Sequence, residues 1–382
     1  MAAGFVPPPY PQDRLDRLRA RAAEVTGGAV DTSVGTPVDP MPAVAVRALT
    51  EAGGGATGYP PSIGTPSLRE AASTWMQRRL GASAPPEDVI ACVGTKEVVA
   101  SVPRFLSLRD PSRDTVLYPA VSYPTYEMGA RLAGLRAVAV PVDEHWRLDV
   151  TAVPDDDASR ALVLWLNEPA NPTGASTPAG ELADIVDWGR GRGVIVASDE
   201  CYAEFTYDAT GAAAPPVTAL ASGTERVLAV HSLSKRSNMA GLRAGFVAGD
   251  PELVHYLGEV RRHAGMIVPT PVQAAAAAAL DDDAHVDDQR ERYRRRRLAA
   301  LEALAGFGLV HDGGPSTFYL WLRNVDGGGD GWAIASRLAE RGLVVAPGEL
   351  YGSAGVDHVR MSLTVTDERL EVALDRLAAA PV

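Results

Sequence analysis

The sequence predicts an α/β fold, with a mostly parallel central sheet covered by helices on both faces and a smaller α+β domain beside it. Three observations lead there. Between Gly35 and Leu280, seven short apolar runs alternate with amphipathic stretches, and Val-, Leu- and Ile-rich strands separated by helices indicate parallel strands buried on both faces. Beyond Leu280, a long charged helix opens a region where strand-like and helical pieces mix. The chain has 382 residues, 46% hydrophobic and 22% charged, which is the balance of an ordinary globular protein and enough length for roughly two or three units.

In chain order, a Pro-rich arm leads into one short helix, Gln12 to Glu24. The strand candidates are Val89–Val93, Thr115–Leu117, Arg136–Val140, Ala161–Leu166, Gly193–Ser198, Arg226–His231 and Ala244–Ala248. Helical patterns lie between several of them, as at Glu97–Leu106 and Glu181–Arg190, and the Ala274–Ala279 run reads as a tightly packed helix. The charged helix, about His285 to Ala305, contains Arg292-Tyr293-Arg294-Arg295-Arg296-Arg297. With Asp287, Asp288 and Glu291 one turn earlier as partners, it is expected to present a solvated face. Strand-like Phe318–Leu322, Leu343–Ala346 and His358–Ser362 follow, with helices at Gly331–Arg341 and Asp367–Ala379 and a Gly-rich loop at Asp326–Asp330. The expected division is 1–35, an N-terminal arm and small-domain segment; 36–280, a large domain; and 281–382, a small C-terminal domain.

Composition excludes several classes. The net charge of -12, from 36 basic against 48 acidic residues, argues against nucleic acid as a partner, because phosphate backbones reward a basic surface. Only Cys92 and Cys201 are present, so there is no disulfide framework and a reducing cytoplasm is the expected compartment. The start, Met1 to Pro9, shows neither a basic n-region nor an apolar h-region, so no signal peptide is expected. No apolar run approaches the roughly 18 residues of a membrane span. The seven histidines do not cluster at ligand spacing, so no metal is expected.

The chemistry centres on His231-Ser232-Leu233-Ser234-Lys235-Arg236 and the following Gly241-Leu242-Arg243-Ala244-Gly245. A lysine beside two hydroxyls, with a glycine-flanked arginine eight positions on, suits an amine that condenses with an aldehyde cofactor whose phosphate must also be held. Pyridoxal 5'-phosphate meets that description: its aldehyde needs Lys235, and its phosphate dianion needs Ser232, Ser234 and the fork-shaped Arg243 guanidinium. Gly94-Thr95-Lys96-Glu97, at a strand-to-helix junction, offers free N–H groups to the same anion.

Other cofactor contacts lie at strand ends, where α/β proteins place ligands. Asn167-Glu168-Pro169-Ala170-Asn171-Pro172-Thr173-Gly174 forms a rigid loop whose amide can donate to a phenolate oxygen. In Ser198-Asp199-Glu200-Cys201-Tyr202, the adjacent carboxylates point to opposite faces of an extended backbone. Asp199 would keep a pyridine nitrogen protonated, Tyr202 would reach the phenolate oxygen, and Glu200 would satisfy local backbone donors. Tyr123, in Ser122-Tyr123-Pro124-Thr125-Tyr126, is the stacking aromatic. Arg360, in His358-Val359-Arg360-Met361-Ser362, can hold an α-carboxylate through two parallel hydrogen bonds. Tyr59 sits in the Gly/Pro-rich loop Gly58 to Gly64, the kind of segment that carries function on a rigid scaffold.

Together these segments resemble the fold-type I, class I/II aminotransferases, over nearly the whole chain from Gly35-Thr36-Pro37 to Arg360. Asn-Pro-Thr-Gly, Ser-Asp-Glu-x-Tyr and Ser-x-Ser-Lys, in that order, carry the likeness. It implies that Lys235 is the Schiff-base lysine, that Asp199 pairs with the pyridine nitrogen, and that Asn171 and Tyr202 bind the phenolate oxygen. Ser232, Ser234, Arg243 and the Thr95–Lys96 backbone would hold the phosphate, and Arg360 with the Gly35 backbone the substrate α-carboxylate. Tyr59 would reach the neighbouring subunit's phosphate, which implies a homodimer with shared active sites. A closer likeness, to the actinobacterial N-succinyl-LL-2,6-diaminopimelate aminotransferases, rests on Asp31 to Pro40, His231 to Lys235, His263 to Pro269 and Leu343 to Gly348. It implies exchange of an amino group with glutamate and 2-oxoglutarate in lysine and diaminopimelate synthesis. Ala170, and Val121-Ser122 before Tyr123, depart from the family pattern.

Three other readings compete. An aminotransferase of other specificity, acting on aspartate, on an aromatic precursor such as prephenate, or on a broad range, is the first. A β-lyase or decarboxylase can use the same scaffold, since one fold hosts many chemistries. A cofactor-sensing DNA-binding regulator would need a further domain ahead of Gly35, where only a short segment stands. For distal carboxylates of a succinylated substrate, Lys96, Arg21 and Arg323 are the candidate receivers.

Overall fold

Seven strands that the sequence marks as apolar runs form one sheet in the computed structural model, which describes residues 5–82 and 84–379. The extreme start of the N-terminal arm, residues 1–4, and the last residues of the C-terminal segment lie outside the described residues. Strands are numbered in chain order. A short β1 (Val30–Asp31) precedes the sheet strands β2 (Val89–Cys92), β3 (Thr115–Pro119), β4 (Arg136–Val140), β5 (Ala161–Asn167), β6 (Ile195–Asp199), β7 (Val227–Ser232) and β8 (Gly245–Gly249). Their order is β2-β8-β7-β6-β5-β3-β4, and only β8 runs against its neighbours. The direction of β8 follows from its connection. Leu233–Ala244 is too short and irregular for a crossover helix, so the chain turns back and pairs antiparallel with β7.

Side chains alternate between two cores, as strand geometry requires. Leu164, Leu166, Val196 and Ala229 face one side with Trp75 and Phe246. Val163, Trp165, Ile195 and Val230 face the other with Val99 and Tyr126. The Ala-rich run lies in the helix Thr270–Leu280, and its small side chains let it pack closely on the helix Ala43–Gly53.

A second, antiparallel sheet is built from β9 (Leu309–His311), β10 (Tyr319–Asn324), β12 (Ala346–Pro347) and β13 (Val359–Ser362), in the order β12-β13-β10-β9. Strand β11 (Leu343–Val344) pairs in parallel with β1 and so ties the N-terminal segment to this part of the chain. A third core joins the two sheets: Tyr202 and Phe205, from the loop after β6, meet Tyr293, Phe318 and Trp321.

Several expectations shift in detail. Gly193 closes the helix Ala179–Arg192 in the left-handed region at φ 69°, and Arg226 sits at φ 54°, so both following strands start later than expected. Leu343–Ala346 divides into β11 and β12, which pair with different partners. Gln12–Glu24 is a tight turn, Pro11–Leu15, followed by an α-helix, Asp16–Ala23.

The expected solvated face of the Arg-rich helix (Ala284–Gly306) needs correction. Arg294 does pair with Glu291 on the surface. Arg296 and Arg297, however, are only 4% and 6% exposed. Arg296 clamps Asp39 and Asp367, while Arg297 donates to the carbonyls of Tyr319 and Gly314. The basic run is thus in part internal scaffolding. No helix among the described residues is long and apolar enough to cross a membrane.

Candidate active site

Strands β5, β6 and β7 lie side by side, so their carboxyl ends bring Asn167, Asp199 and Ser232 to one edge of the sheet. A cavity of about 530 Å³ opens there. Its walls include Gly35, Thr95, Lys96, Tyr123, Asn171, Asp199, Tyr202, Ser232, Ser234, Lys235, Arg243 and Arg360, which are all the expected site residues except Tyr59. Tyr59 is 99% exposed on its loop and lies outside this cavity.

Lys235 sits in a single helical turn, Leu233–Arg236, which begins at the end of β7 where the Ser232 hydroxyl accepts from the Ser234 amide at 3.1 Å. Its ammonium donates to the Gly35 carbonyl. Burial lowers the amine to about 8; Cys201 and Asp199 oppose that shift, while Arg360 and Arg243 add to it. Asp199 shows the opposite trend. Burial raises its carboxyl, although the Cys201 amide (3.3 Å) and the Tyr126 hydroxyl (3.0 Å) both donate to it. A protonated ring nitrogen facing Asp199 would supply the positive partner that burial has removed.

Asn171 is held from two sides. Its backbone N–H donates to Asn167 Oδ1 at 2.7 Å, and its side-chain Oδ1 accepts from Arg360 Nη1 at 2.9 Å. Because guanidinium only donates, this contact fixes the side-chain orientation and leaves Nδ2 as a donor for a ligand. Arg360 lies between the rings of Tyr319 and Tyr351, at 4.2 and 4.8 Å, and its Nη2 donates to Ser33 O at 2.6 Å. Its buried Nε has no partner, an open position for a carboxylate. The Tyr202 and Tyr319 hydroxyls are 3.1 Å apart.

At the phosphate corner, Gly94 adopts φ 73° and no side chain caps the helix Thr95–Arg109. A Cβ on Gly94 would meet Arg243 Nη2 at 2.2 Å, so only glycine allows this approach. The amides of the first turn, the Ser232 and Ser234 hydroxyls and Arg243 therefore form a donor set suited to a dianion. The Lys96 ammonium is turned to Tyr10, 3.3 Å from its hydroxyl. Tyr123 lines the cavity edge-on to Tyr126. Glu200 does point the other way, accepting from the Ala219 amide at 2.9 Å.

Sequence reasoning did not single out Tyr126, Asn167, Tyr319, Tyr351 or Tyr10. Asn167 and Tyr126 had a signal: each lies about one helical turn's separation from a residue already chosen, Asn171 and Tyr123. Tyr319 and Tyr351 had none. Of the distal candidates, Arg21 pairs with Glu340 and Arg323 with Asp312 away from the cavity, while Lys96 lines it.

Comparison with known proteins gives the family. Residues 28–377 match the family Aminotransferase class I and II. The chain is 44% identical to the 4-dedimethylamino-4-oxo-anhydrotetracycline transaminase OxyQ of Streptomyces rimosus, covering 97% of this chain and 99% of that one. It is 35% identical to an LL-diaminopimelate aminotransferase of Aquifex aeolicus, over 97% and 96% of the two chains. Among solved structures, a probable N-succinyldiaminopimelate aminotransferase of Thermus thermophilus superposes with a TM-score of 0.86 at 32% identity, covering 97% of this chain and 100% of the other. With a donor set that fits the cofactor and a family match spanning most of its length, the chain belongs to the class I and II aminotransferases, which depend on pyridoxal 5'-phosphate.

Proposed function

We propose that this aminotransferase exchanges an amino group between N-succinyl-LL-2,6-diaminopimelate and 2-oxoglutarate or glutamate, in lysine and diaminopimelate synthesis. The observation that carries the substrate is Lys96. Of the four basic side chains on the cavity wall among the described residues, Lys235, Arg243 and Arg360 have roles toward cofactor or α-carboxylate, and the Lys96 ammonium, which donates to the Tyr10 hydroxyl, has no such role. It can receive a second, distal carboxylate, as a succinylated dicarboxylic substrate requires. The resemblance to a probable N-succinyldiaminopimelate aminotransferase supports the same reading.

Bound pyridoxal phosphate supplies an aldehyde that captures amines and a protonated ring that draws electrons from the substrate Cα. Ser232, Ser234, Arg243 and the Thr95 and Lys96 amides would hold its phosphate. Asp199 would keep the ring nitrogen protonated, Tyr123 would face the ring, and Asn171 Nδ2 with the Tyr202 hydroxyl would donate to the phenolate oxygen. Arg360, helped by the Gly35 backbone, orients the α-carboxylate. Lys235, as a neutral amine, would take up a proton at Nζ and give it back. Tyr59 completes the phosphate site of a partner subunit. Both cysteines are free, which suits a cytoplasmic enzyme.

An aminotransferase of other specificity is the second reading. Six of the eleven tyrosines line the cavity, a wall suited to aromatic substrates, and one relative is a 4-dedimethylamino-4-oxo-anhydrotetracycline transaminase. The absorption spectrum of the holoenzyme, recorded with each amino donor in turn, separates the two. Conversion of the cofactor band by the succinylated substrate and by glutamate, reversed by 2-oxoglutarate, is the expected result. Conversion by aspartate, alanine or aromatic donors alone would discard the diaminopimelate assignment.

A further inference from the structure

We propose that Glu97 and Arg261 form a brace that sets the geometry of the phosphate cradle and thereby the cofactor's affinity. The proposal rests on reading Thr95, Lys96 and Arg243 as the phosphate site. An uncapped helix start leaves its amides free for an anion, yet Glu97 places a carboxylate in the same first turn. Facing the cavity, it would compete for those amides and repel a dianion.

The structure turns that carboxylate away and saturates it. Glu97 Oε1 accepts from the Val93 amide at 3.1 Å and lies 2.7 Å from Arg261 Nη2, while Oε2 accepts from Arg261 Nη1 at 2.8 Å. Arg261 comes from the helix Pro251–His263, and its side chain is 2% exposed. It also donates to the Ala91 carbonyl, in the strand that feeds the turn, at 3.2 Å. One buried guanidinium therefore fastens both sides of the Val93–Gly94 turn to a third element and neutralises the carboxylate nearest the phosphate amides. Met266 Sδ, in the His263–Pro269 segment, lies 3.8 Å from the same guanidinium and packs against the brace.

Glu97 and Arg261 are thus positioning residues, and their effect is confined to the phosphate end of the cofactor. The test compares pyridoxal phosphate with pyridoxal, which has the same ring and aldehyde but no phosphate, by titrating cofactor-free protein. The double variant Glu97→Ala/Arg261→Met removes both charges together, so neither is stranded in the interior. The expected result is pyridoxal phosphate affinity weakened about tenfold, with pyridoxal changed by less than about twofold. Equal weakening of both ligands, or no change in either, overturns the brace. Should the double variant not fold, Arg261→Lys keeps the charge but cannot span Glu97 and Ala91 together. It should lower the preference for pyridoxal phosphate in the same sense, and an unchanged preference overturns the proposal. Arg243→Ala separates the two levels of the argument. If it leaves that preference intact, the phosphate-site reading fails and the brace with it; if it lowers the preference while the brace variants do not, only the brace fails.

Discussion

At the scale of single residues, burial does two things to Lys235: it leaves a larger share of the amine unprotonated near neutral pH, and it destabilises the cofactor-free protein. The native amine titrates near 8, below the ordinary lysine value of 10.5. Between those values the unfolded chain binds the proton and the folded chain does not, so folding stability rises with pH across that window. Below about 8, the native protein carries the full penalty of a charged amine in that pocket. Cofactor-free Lys235→Met should therefore be more stable than the parent at pH 7, with the gap closing toward pH 10; urea midpoints at the two pH values check this. Lys235→Ala should abolish turnover yet still bind pyridoxal phosphate noncovalently, and near-normal activity in that variant would remove the central assignment. Tyr319→Phe deletes only the hydroxyl facing Tyr202 and keeps the ring under Arg360. It should lower kcat about fivefold with little change in KM, as loss of one hydrogen bond in a network predicts. Lys235, Asp199 and Arg243 were legible because each sits in a short segment with its own chemical logic. Tyr319 was not, since its importance arises from Tyr202 and Arg360, both distant in sequence.

At the scale of elements, strands were easier to read than their neighbours. Val-, Leu- and Ile-rich runs announce buried strands, but nothing local says that β8 inserts between β2 and β7. Pairing is a long-range property of the whole sheet. The Arg-rich helix shows the converse limit, because its charge pattern resembles a surface while Arg296 reaches inward to Asp39 on the N-terminal segment and Asp367 on the last helix. Burial raises the Asp39 carboxyl, but hydrogen bonds from Arg296, Gln289 and Arg292 outweigh it and hold the group below its ordinary value. Such a carboxylate contributes stability above its unfolded pKa and loses it as pH falls through the depressed native value. Arg296→Met, which breaks the buried pair, should cost about 3 kcal/mol at neutral pH. Denaturant unfolding at pH 7 and at acid pH should show that loss shrinking as Asp39 protonates.

At the scale of the whole molecule, one expected site residue stands apart. Tyr59 is 99% exposed and outside the cavity of its own chain, while every other expected site residue lines it. That exposure follows if two copies associate so that Tyr59 enters the partner's phosphate site. In a two-fold dimer that arrangement makes each site from two chains. Chains carrying Lys235→Ala and chains carrying Tyr59→Ala should then rescue one another: a hybrid dimer has one site with both lesions and one with neither. Random pairing of equal amounts gives hybrids in half the dimers, each with one intact site, so activity at limiting cofactor should approach about a quarter of the parent's. A mixture no more active than its two components measured separately would mean that each chain builds its site alone.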